Sequence, residues 1–249
     1  MQLTVLGCYG PYPPAGGACS GYLLRENGFN LLIDCGNGVM SRLQNHLEFW
    51  QLDAVILSHL HADHYSDTMI MRYGLEIAFS QGMRSKPLPL YAPAEPVSEF
   101  ERLPYKNAYA VSSLAKGGEW QLGPFTIKTI TGIHAIPSLA FRIQSPSGTL
   151  VYSGDTEYYE GLAEFASGAD IFLCEANYQE ADIRNGLPNH LSSAQAAQIA
   201  AAAGVKKLLL THHHPERDPA TSLAEAVKHF PGAELASEGA IYYVPTSSS

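Results

Sequence analysis

A short apolar run that ends in four closely spaced polar residues constrains this chain most strongly. The run over 54–57 has the composition of a buried strand, and it leads directly into His59, His61, Asp63 and His64. Four such side chains can converge only if the chain turns sharply where the strand ends. Neutral imidazoles and carboxylates are ligands that zinc, manganese and iron accept. The pattern therefore predicts a metal site at the end of a strand.

Three further candidate ligands each follow a predicted strand. His134 follows an apolar run over 126–133, Asp155 follows 150–153, and His212 follows 208–210. A rigid sheet aims side chains at its strand ends into one cleft, so these residues are expected to join the first four. A carboxylate offers two oxygens where an imidazole offers one lone pair, so Asp155 is the natural bridge between two ions.

Apolar runs rich in β-branched residues recur along the chain, with helical patterns between them. This order favours an α/β fold with two mixed β-sheets packed face to face and helices outside, a four-layer αββα sandwich. The proline-rich stretch 82–104 is interpreted as an inserted loop or lid. Residues 1–245 are predicted to form a single domain, and residues 246–249 a flexible tail. The predicted strands are 3–6, 22–24, 31–34, 54–57, 125–131, 140–143, 150–152, 171–174, 207–210 and 241–244, and the predicted helices are 38–49, 63–79, 192–203 and 218–230.

The charge balance restricts the class of partner. The chain has 249 residues and a formal net charge of -9, with 15 Lys and Arg against 24 Asp and Glu. This excess of acid argues against extended nucleic acid as a partner but permits a small anionic substrate in a local pocket. The sequence predicts no membrane span, because it has no apolar run of about 18 residues. It lacks a basic region before the first apolar residues, and its four scattered cysteines form no CxxC pair, which together favour a cytoplasmic protein with reduced cysteines.

These motifs resemble those of the metallo-β-lactamase superfamily, in particular its ribonuclease Z-like and cyclic phosphodiesterase branch. The resemblance covers nearly the whole chain. It implies the metallo-β-lactamase fold and two divalent metal ions, with zinc favoured over manganese or iron. One ion would be bound by His59, His61, His134 and Asp155, and the other by Asp63, His64, Asp155 and His212. The matching segments include HxHxDH at 59–64, LIDCG at 32–36, YSGDT at 152–156, NHLS at 189–192 and LLLTH at 208–212.

The resemblance also implies hydrolysis of small phosphodiesters, cyclic ones among them, by a hydroxide that bridges the two ions. The catalytic residues would be Asp63 and His190, with His190 also contacting the scissile phosphate and assisting the leaving group. Arg142 either binds the phosphate or pairs with a structural carboxylate such as Asp34. Full ribonuclease Z enzymes have an extended basic arm for transfer RNA, and this chain shows no such insertion.

Other functions and partners stay open at this point. One alternative is a hydrolase of another ester class, acting on a thioester, lactone or lactam. Others are an iron-dependent oxidoreductase on the same fold and a metal-binding accessory protein without efficient turnover. The apolar, tyrosine-containing segment 65–79 either forms a homodimer face or packs against the core.

Overall fold

The computed structural model describes residues 1–244, which form two seven-stranded β-sheets and eight α-helices. The tail predicted at 246–249 lies outside the described residues, and the single domain over 1–245 stays a prediction. The strands are β1 (Gln2–Gly7), β2 (Gly21–Glu26), β3 (Phe29–Ile33), β4 (Ala54–Ile56), β5 (Leu88–Pro93), β6 (Tyr109–Leu114), β7 (Glu119–Leu122), β8 (Phe125–Thr131), β9 (Leu139–Ser145), β10 (Gly148–Tyr152), β11 (Ile171–Glu175), β12 (Lys207–Thr211), β13 (Ala233–Leu235) and β14 (Ile241–Tyr243). The helices are α1 (Val39–Leu43), α2 (Ala62–Tyr65), α3 (Thr68–Ser80), α4 (Val97–Phe100), α5 (Glu160–Ala166), α6 (Glu180–Arg184), α7 (Ser193–Ala203) and α8 (Pro219–Val227).

Both sheets are mixed. The first has the strand order β14-β1-β2-β3-β4-β5-β6, and the second has the order β13-β12-β11-β10-β9-β8-β7. In the first sheet β14, β1, β2 and β3 pair antiparallel, while β3 to β6 pair parallel. In the second, β7 to β10 pair antiparallel and β10 to β13 pair parallel. The predicted pair of mixed sheets is therefore confirmed.

Three buried apolar clusters separate the four layers. The central cluster joins the inner faces of the two sheets, and an outer cluster lies on each sheet beneath its helices. Successive side chains of a strand point to opposite faces, so a buried strand contributes to two clusters at once. In β3, for example, Leu31 and Ile33 belong to the central cluster while Leu32 belongs to the outer one.

The stretch 82–104 is not an inserted loop or lid, so that prediction is wrong. It contains β5, which pairs with β4 on one side and β6 on the other, and then α4. Leu88, Leu90 and Ala92 are fully buried in the outer cluster of the first sheet. The prolines at 89 and 93 interrupt the strand pattern in the sequence, although these apolar residues alternate as a strand requires.

The predicted helix over 63–79 divides into α2 and α3. Asp67 lies at the break, where its backbone N–H donates to the Cys35 carbonyl and its carboxylate accepts from the Met40 N–H (3.0 and 2.9 Å). The predicted helix over 192–203 corresponds to α7, which Ser192 caps with Gln195 in a reciprocal capping box. No helix among residues 1–244 is both long and apolar enough to cross a membrane.

The carboxyl ends of the parallel strands form the edge on which the candidate site lies. Segments that contain most of the predicted ligands follow β4, β10 and β12 at this edge. The hydrogen bonds that join the sheets here include those from the Leu139 N–H to the Ser58 carbonyl (3.0 Å) and from the Tyr152 hydroxyl to Asp34 (2.7 Å). The edge therefore brings residues from both sheets into one cleft.

Candidate metal centre and active site

The structure brings all seven predicted metal ligands together in two adjacent groups. In each group the candidate ligand atoms lie within 4.8 Å of one another. Asp155 lies between the groups, since its Oδ2 is 3.3 Å from His212 Nε2 and 3.7 Å from His59 Nε2. The first group is His59, His61 and His134, and the second is Asp63, His64, Asp155 and His212.

A sharp turn after β4 places the first four ligands. His61 is the N-cap of α2, and Asp63 and His64 lie in that single helical turn. Gly36 lies against the turn, because a Cβ atom there would be 1.9 Å from the Asp63 carbonyl oxygen. The Cys35 N–H donates to the His64 carbonyl (2.7 Å), so the loop after β3 fixes the turn after β4.

Buried acceptors set the orientation of two of the imidazoles. The Asp34 carboxylate is fully buried and accepts from the Ser58 N–H, the Ser58 hydroxyl, the Tyr152 hydroxyl and His64 Nδ1, at 2.7 to 2.8 Å. His134 Nδ1 donates to the Asn189 carbonyl at 2.9 Å. Each bond places a proton on Nδ1 and leaves Nε2 as the nitrogen that faces the other ligands.

The donor atoms fit divalent metal ions. His64 Nε2 and Asp155 Oδ1 are buried without a hydrogen-bond partner, and they face each other at 3.3 Å. Buried polar atoms are normally paired, and a cation bound by both atoms would satisfy them. The set of imidazoles and carboxylates is one that zinc, manganese and iron accept.

The electrostatics of the centre also favour cation binding. Burial lowers the pKa of His59, His61 and His134, so these rings are neutral, as ligation requires. Burial alone would raise the pKa of Asp155, but the surrounding imidazoles, led by His212, hold it well below its usual range. For His64, burial would lower the pKa, yet three carboxylates around it raise that pKa instead.

His190 faces the same cleft and is oriented by Glu175. Its Nδ1 lies 3.0 Å from Glu175 Oε1, and the fully buried Glu175 carboxylate also accepts from the Thr156 N–H at 2.7 Å. Burial would lower the pKa of His190, but Glu175 outweighs it and raises the pKa to about 9. The cleft has a volume of about 330 Å³ and is lined by Pro11, His61, Ala62, Asp63, His134, Ala135, Asp155, Asn189, His190 and His212.

Glu175 is a functional residue that was not predicted from the sequence. It is the last residue of β11, so it stands at a strand end like the predicted ligands. That position in the sequence was the available signal, because a carboxylate at the end of an apolar strand faces the same edge as the metal ligands.

The structure places Arg142 away from the cleft, and both roles predicted for it are wrong. Its Nη1 donates to the carbonyls of Phe165 and Ser167 (2.9 and 3.1 Å), so it caps the carboxyl end of α5. Phe141 and Ile143, its neighbours in β9, belong to the central cluster, so Arg142 must point to the outer face.

The comparisons agree with this geometry. A family model described as "Beta-lactamase superfamily domain" matches residues 29–213. The chain is 36% identical over 212 residues to the probable metallo-hydrolase YhfI of Bacillus subtilis (strain 168), covering 85% of this chain and 86% of that protein. It is 30% identical over 251 residues to a ribonuclease Z of Mycolicibacterium gilvum (strain PYR-GCK), covering 88% of this chain and 86% of the relative.

Solved structures show the same fold. The crystal structure of the metallo-β-lactamase fold protein YhfI from Bacillus subtilis matches with a TM-score of 0.93 and 33% identity, over 97% of this chain and 98% of that one. The human tRNase Z short form matches with a TM-score of 0.78 and 20% identity, over 98% and 100% of the two chains, which shows the fold alone. The predicted four-layer sandwich and the predicted family are both confirmed. The chain belongs to the metallo-β-lactamase superfamily, within the ribonuclease Z-like branch of metallo-hydrolases.

Proposed function

We propose that the protein hydrolyses small phosphodiesters with two divalent metal ions. The observation that carries the proposal is the position of Asp155 between two complete groups of ligands, with His190 facing the same cleft. His59, His61, His134 and Asp155 would bind one ion, and Asp63, His64, Asp155 and His212 the other. Two such ions supply a hydroxide near neutral pH and an electrophile for the oxygen that gains charge.

The protein's own side chains then divide the proton transfers. His190 Nδ1 is bound by Glu175, so Nε2 is the nitrogen available to contact the phosphate and to protonate the leaving oxygen. Asp63 Oδ2 lies beside His212 Nε2. The other carboxylate oxygen, Oδ1, accepts the proton of the attacking water. His190 and Asp63 both line the cleft, which suits a substrate bound between them.

The size and charge of the cleft support a small anion as the substrate. The volume of about 330 Å³ suits a small molecule, and the residues that line it within 1–244 include no lysine or arginine. Positive charge in the cleft would therefore come from the metal ions and from protonated His190, while the net charge of -9 disfavours a long polyanion. One relative is a ribonuclease Z, and the RNA linkage that a ribonuclease cleaves is a phosphodiester.

Zinc is the proposed metal and the cytoplasm the proposed compartment. Imidazole and carboxylate ligands suit zinc, although manganese and iron accept the same set. Cys8, Cys19, Cys35 and Cys174 are all free and buried, as expected of a protein in a reducing compartment.

Metal analysis and a substrate panel test the proposal together. We expect two zinc ions per chain in protein expressed with zinc. We also expect cleavage of bis-p-nitrophenyl phosphate and none of a lactam or a thioester. Cleavage of only the lactam or thioester would show that the substrate class is wrong. Metal content far below one ion per chain would refute the metal mechanism, and oxygen consumption by an iron-loaded form would indicate an oxidoreductase.

A further inference from the structure

His212 has a backbone conformation that other groups must stabilise. It directly follows β12 and has a φ of 56°, in the left-handed region. A residue with a β-carbon seldom adopts this conformation, because it is strained unless the surroundings fix it. Its imidazole nevertheless has to reach two carboxylates, since Nε2 lies 3.1 Å from Asp63 and 3.3 Å from Asp155.

The side chain of Asn177 supplies part of that stabilisation. Asn177 follows β11, which pairs with β12, and only 2% of its surface is exposed. Its Nδ2 donates to the His212 carbonyl at 3.0 Å and to the Gly10 carbonyl at 2.8 Å. The same nitrogen lies 3.2 Å from His212 Nδ1, so Asn177 covers the edge of the ring opposite to the carboxylates. One carboxamide thus joins the segments that follow β1, β11 and β12.

The segment that follows β1 restricts His212 from a second direction. A Cβ atom on Gly10 would lie 1.9 Å from His212 Nε2, so the ring packs directly on the Gly10 backbone. The His213 N–H donates to the Cys8 carbonyl (2.8 Å) and the Gly10 N–H to the His213 carbonyl (3.1 Å). These bonds join the segment after β1 to the segment after β12. Asn177 donates to one further carbonyl in each segment, that of Gly10 and that of His212.

We propose that Asn177 is a positioning residue for the metal site formed by Asp63, His64, Asp155 and His212. This inference rests on the proposed function, because it assumes two metal ions. Two convergent carbonyl oxygens require two N–H donors on one atom, which a primary amide provides. A side chain without donors leaves both carbonyls unpaired, which releases the His212 backbone and lowers the metal affinity of this site. The site built from His59, His61 and His134 has no contact with Asn177 among its hydrogen bonds in residues 1–244.

The test compares the two metal affinities in Asn177→Leu and Asn177→Ala. Leucine keeps the approximate volume without a donor, and alanine shows whether volume matters. Metal-free protein is titrated with zinc against a chromophoric chelator, and its thermal unfolding is recorded separately. We expect one of the two dissociation constants to rise about 10–100-fold in both variants, and the other to change less than about threefold. The control is Asn30→Ala. Asn30 Nδ2 also donates to a backbone carbonyl, that of Gln51, and neither residue lines the cleft.

Each other outcome overturns the inference in a recognisable way. Two unchanged dissociation constants would mean that Asn177 does not position His212. An equal rise in both, with a lower melting temperature of the metal-free protein, would mean a general structural role. A wild-type protein that binds one ion or none would refute the proposed dinuclear centre and this inference with it. A wild type that binds both ions, together with Asn177 variants in which only one dissociation constant rises, supports both the dinuclear centre and the role of Asn177.

Discussion

At the scale of single residues, buried acceptors decide which nitrogen of three imidazoles faces the cleft. Asp34 binds Nδ1 of His64, the Asn189 carbonyl binds Nδ1 of His134, and Glu175 binds Nδ1 of His190. An acceptor fixed at Nδ1 holds the proton of that nitrogen, so Nε2 faces the cleft. In a neutral ring this Nε2 can bind a metal, and in protonated His190 it can donate a proton. These acceptors therefore hold the three rings from outside the cleft.

Asp34→Asn should weaken metal binding. The amide cannot accept hydrogen bonds from four donors at once, so His64 loses its orientation and the affinity for zinc falls about 10–100-fold. Chelator competition measures this change. Tyr152→Phe is the matched comparison, since it removes one bond to Asp34 and leaves the His64 contact in place. Equal affinities in Asp34→Asn and the wild type would show that the network does not support the metal site.

His190→Ala should separate catalysis from metal binding. If His190 protonates the leaving group, turnover of bis-p-nitrophenyl phosphate falls by about 10²–10⁴-fold while both metal ions remain. His190 also lies within ligand distance of two candidate metal groups, His134 with Asp155 and Glu175 with His212. Metal content measured on the same preparation is therefore decisive, because loss of an ion from His190→Ala would make this residue a ligand.

The seven ligands were predictable from the sequence, whereas the hydrogen-bond partners of Glu175 and Asn177 were not. Four ligands lie within six residues of the chain, and each of the other three follows a predicted strand. These two patterns are sufficient to find the ligands in the sequence. Glu175 and Asn177 acquire their roles only because β11 lies beside β10 and β12 in the sheet. Arg142 was misassigned because an arginine in an apolar strand was expected to bind an anion, and its actual partners are backbone carbonyls.

At the scale of elements, strands with a clear apolar run were predicted, and three of the four strands at the sheet edges were not. The predicted strands include the central ones of both sheets, where both faces are buried. β6, β7 and β13 were missed, because one or both faces of each are partly exposed and their sequences lack a continuous apolar run. β5 was missed because of its prolines. Edge and proline-containing strands depend on their neighbours, which a single sequence does not specify.

An ion pair between α6 and the loop before α8 should make stability depend on pH. Asp182 accepts from Arg217 Nε and Nη2 (3.0 and 2.9 Å), and although burial would raise its pKa, Arg217 lowers it. A lowered carboxyl pKa adds stability above the unfolded pKa of about 3.9, and this stability is lost as the pH falls through the folded value.

We therefore expect Asp182→Asn to lower the melting temperature of metal-free protein by about 2–4 °C at pH 7. The difference should shrink as the pH falls below the unfolded pKa, and it should disappear only below the lowered pKa of the folded Asp182 carboxyl, where the wild-type side chain is protonated. Glu180→Gln is the control, because Glu180 pairs with Arg184 on the exposed face of the same helix at 3.8 Å. A constant difference from pH 7 to pH 3 would contradict the role of this ion pair.

At the scale of the whole molecule, the acidic surface and the metal cleft have opposite effects on an anion. The net charge of -9 repels a long polyanion, while two divalent ions would add about +4 at one edge. The negative charges of Asp63 and Asp155 are part of the net charge of -9, but bound metal ions would offset them within the cleft. This combination favours a substrate small enough to interact mainly with the cleft.

The outward face of α3 should form a contact between two copies of the chain. Met71 and Leu75 belong to the outer cluster of the first sheet and Ala78 is also buried, so the segment is core-facing, yet the other face of α3 is also apolar. Three side chains there are 61%, 47% and 53% exposed at helical spacing, namely Ile70, Tyr73 and Ile77.

An apolar stripe of this kind is typical of an interface, so we expect a homodimer that Ile70→Glu with Ile77→Glu converts to a monomer. Sedimentation equilibrium measures both masses, with Val227→Glu on α8 as the control at another exposed apolar position. A monomeric wild type at tens of micromolar, or a dimer that survives the double substitution, would contradict this interface.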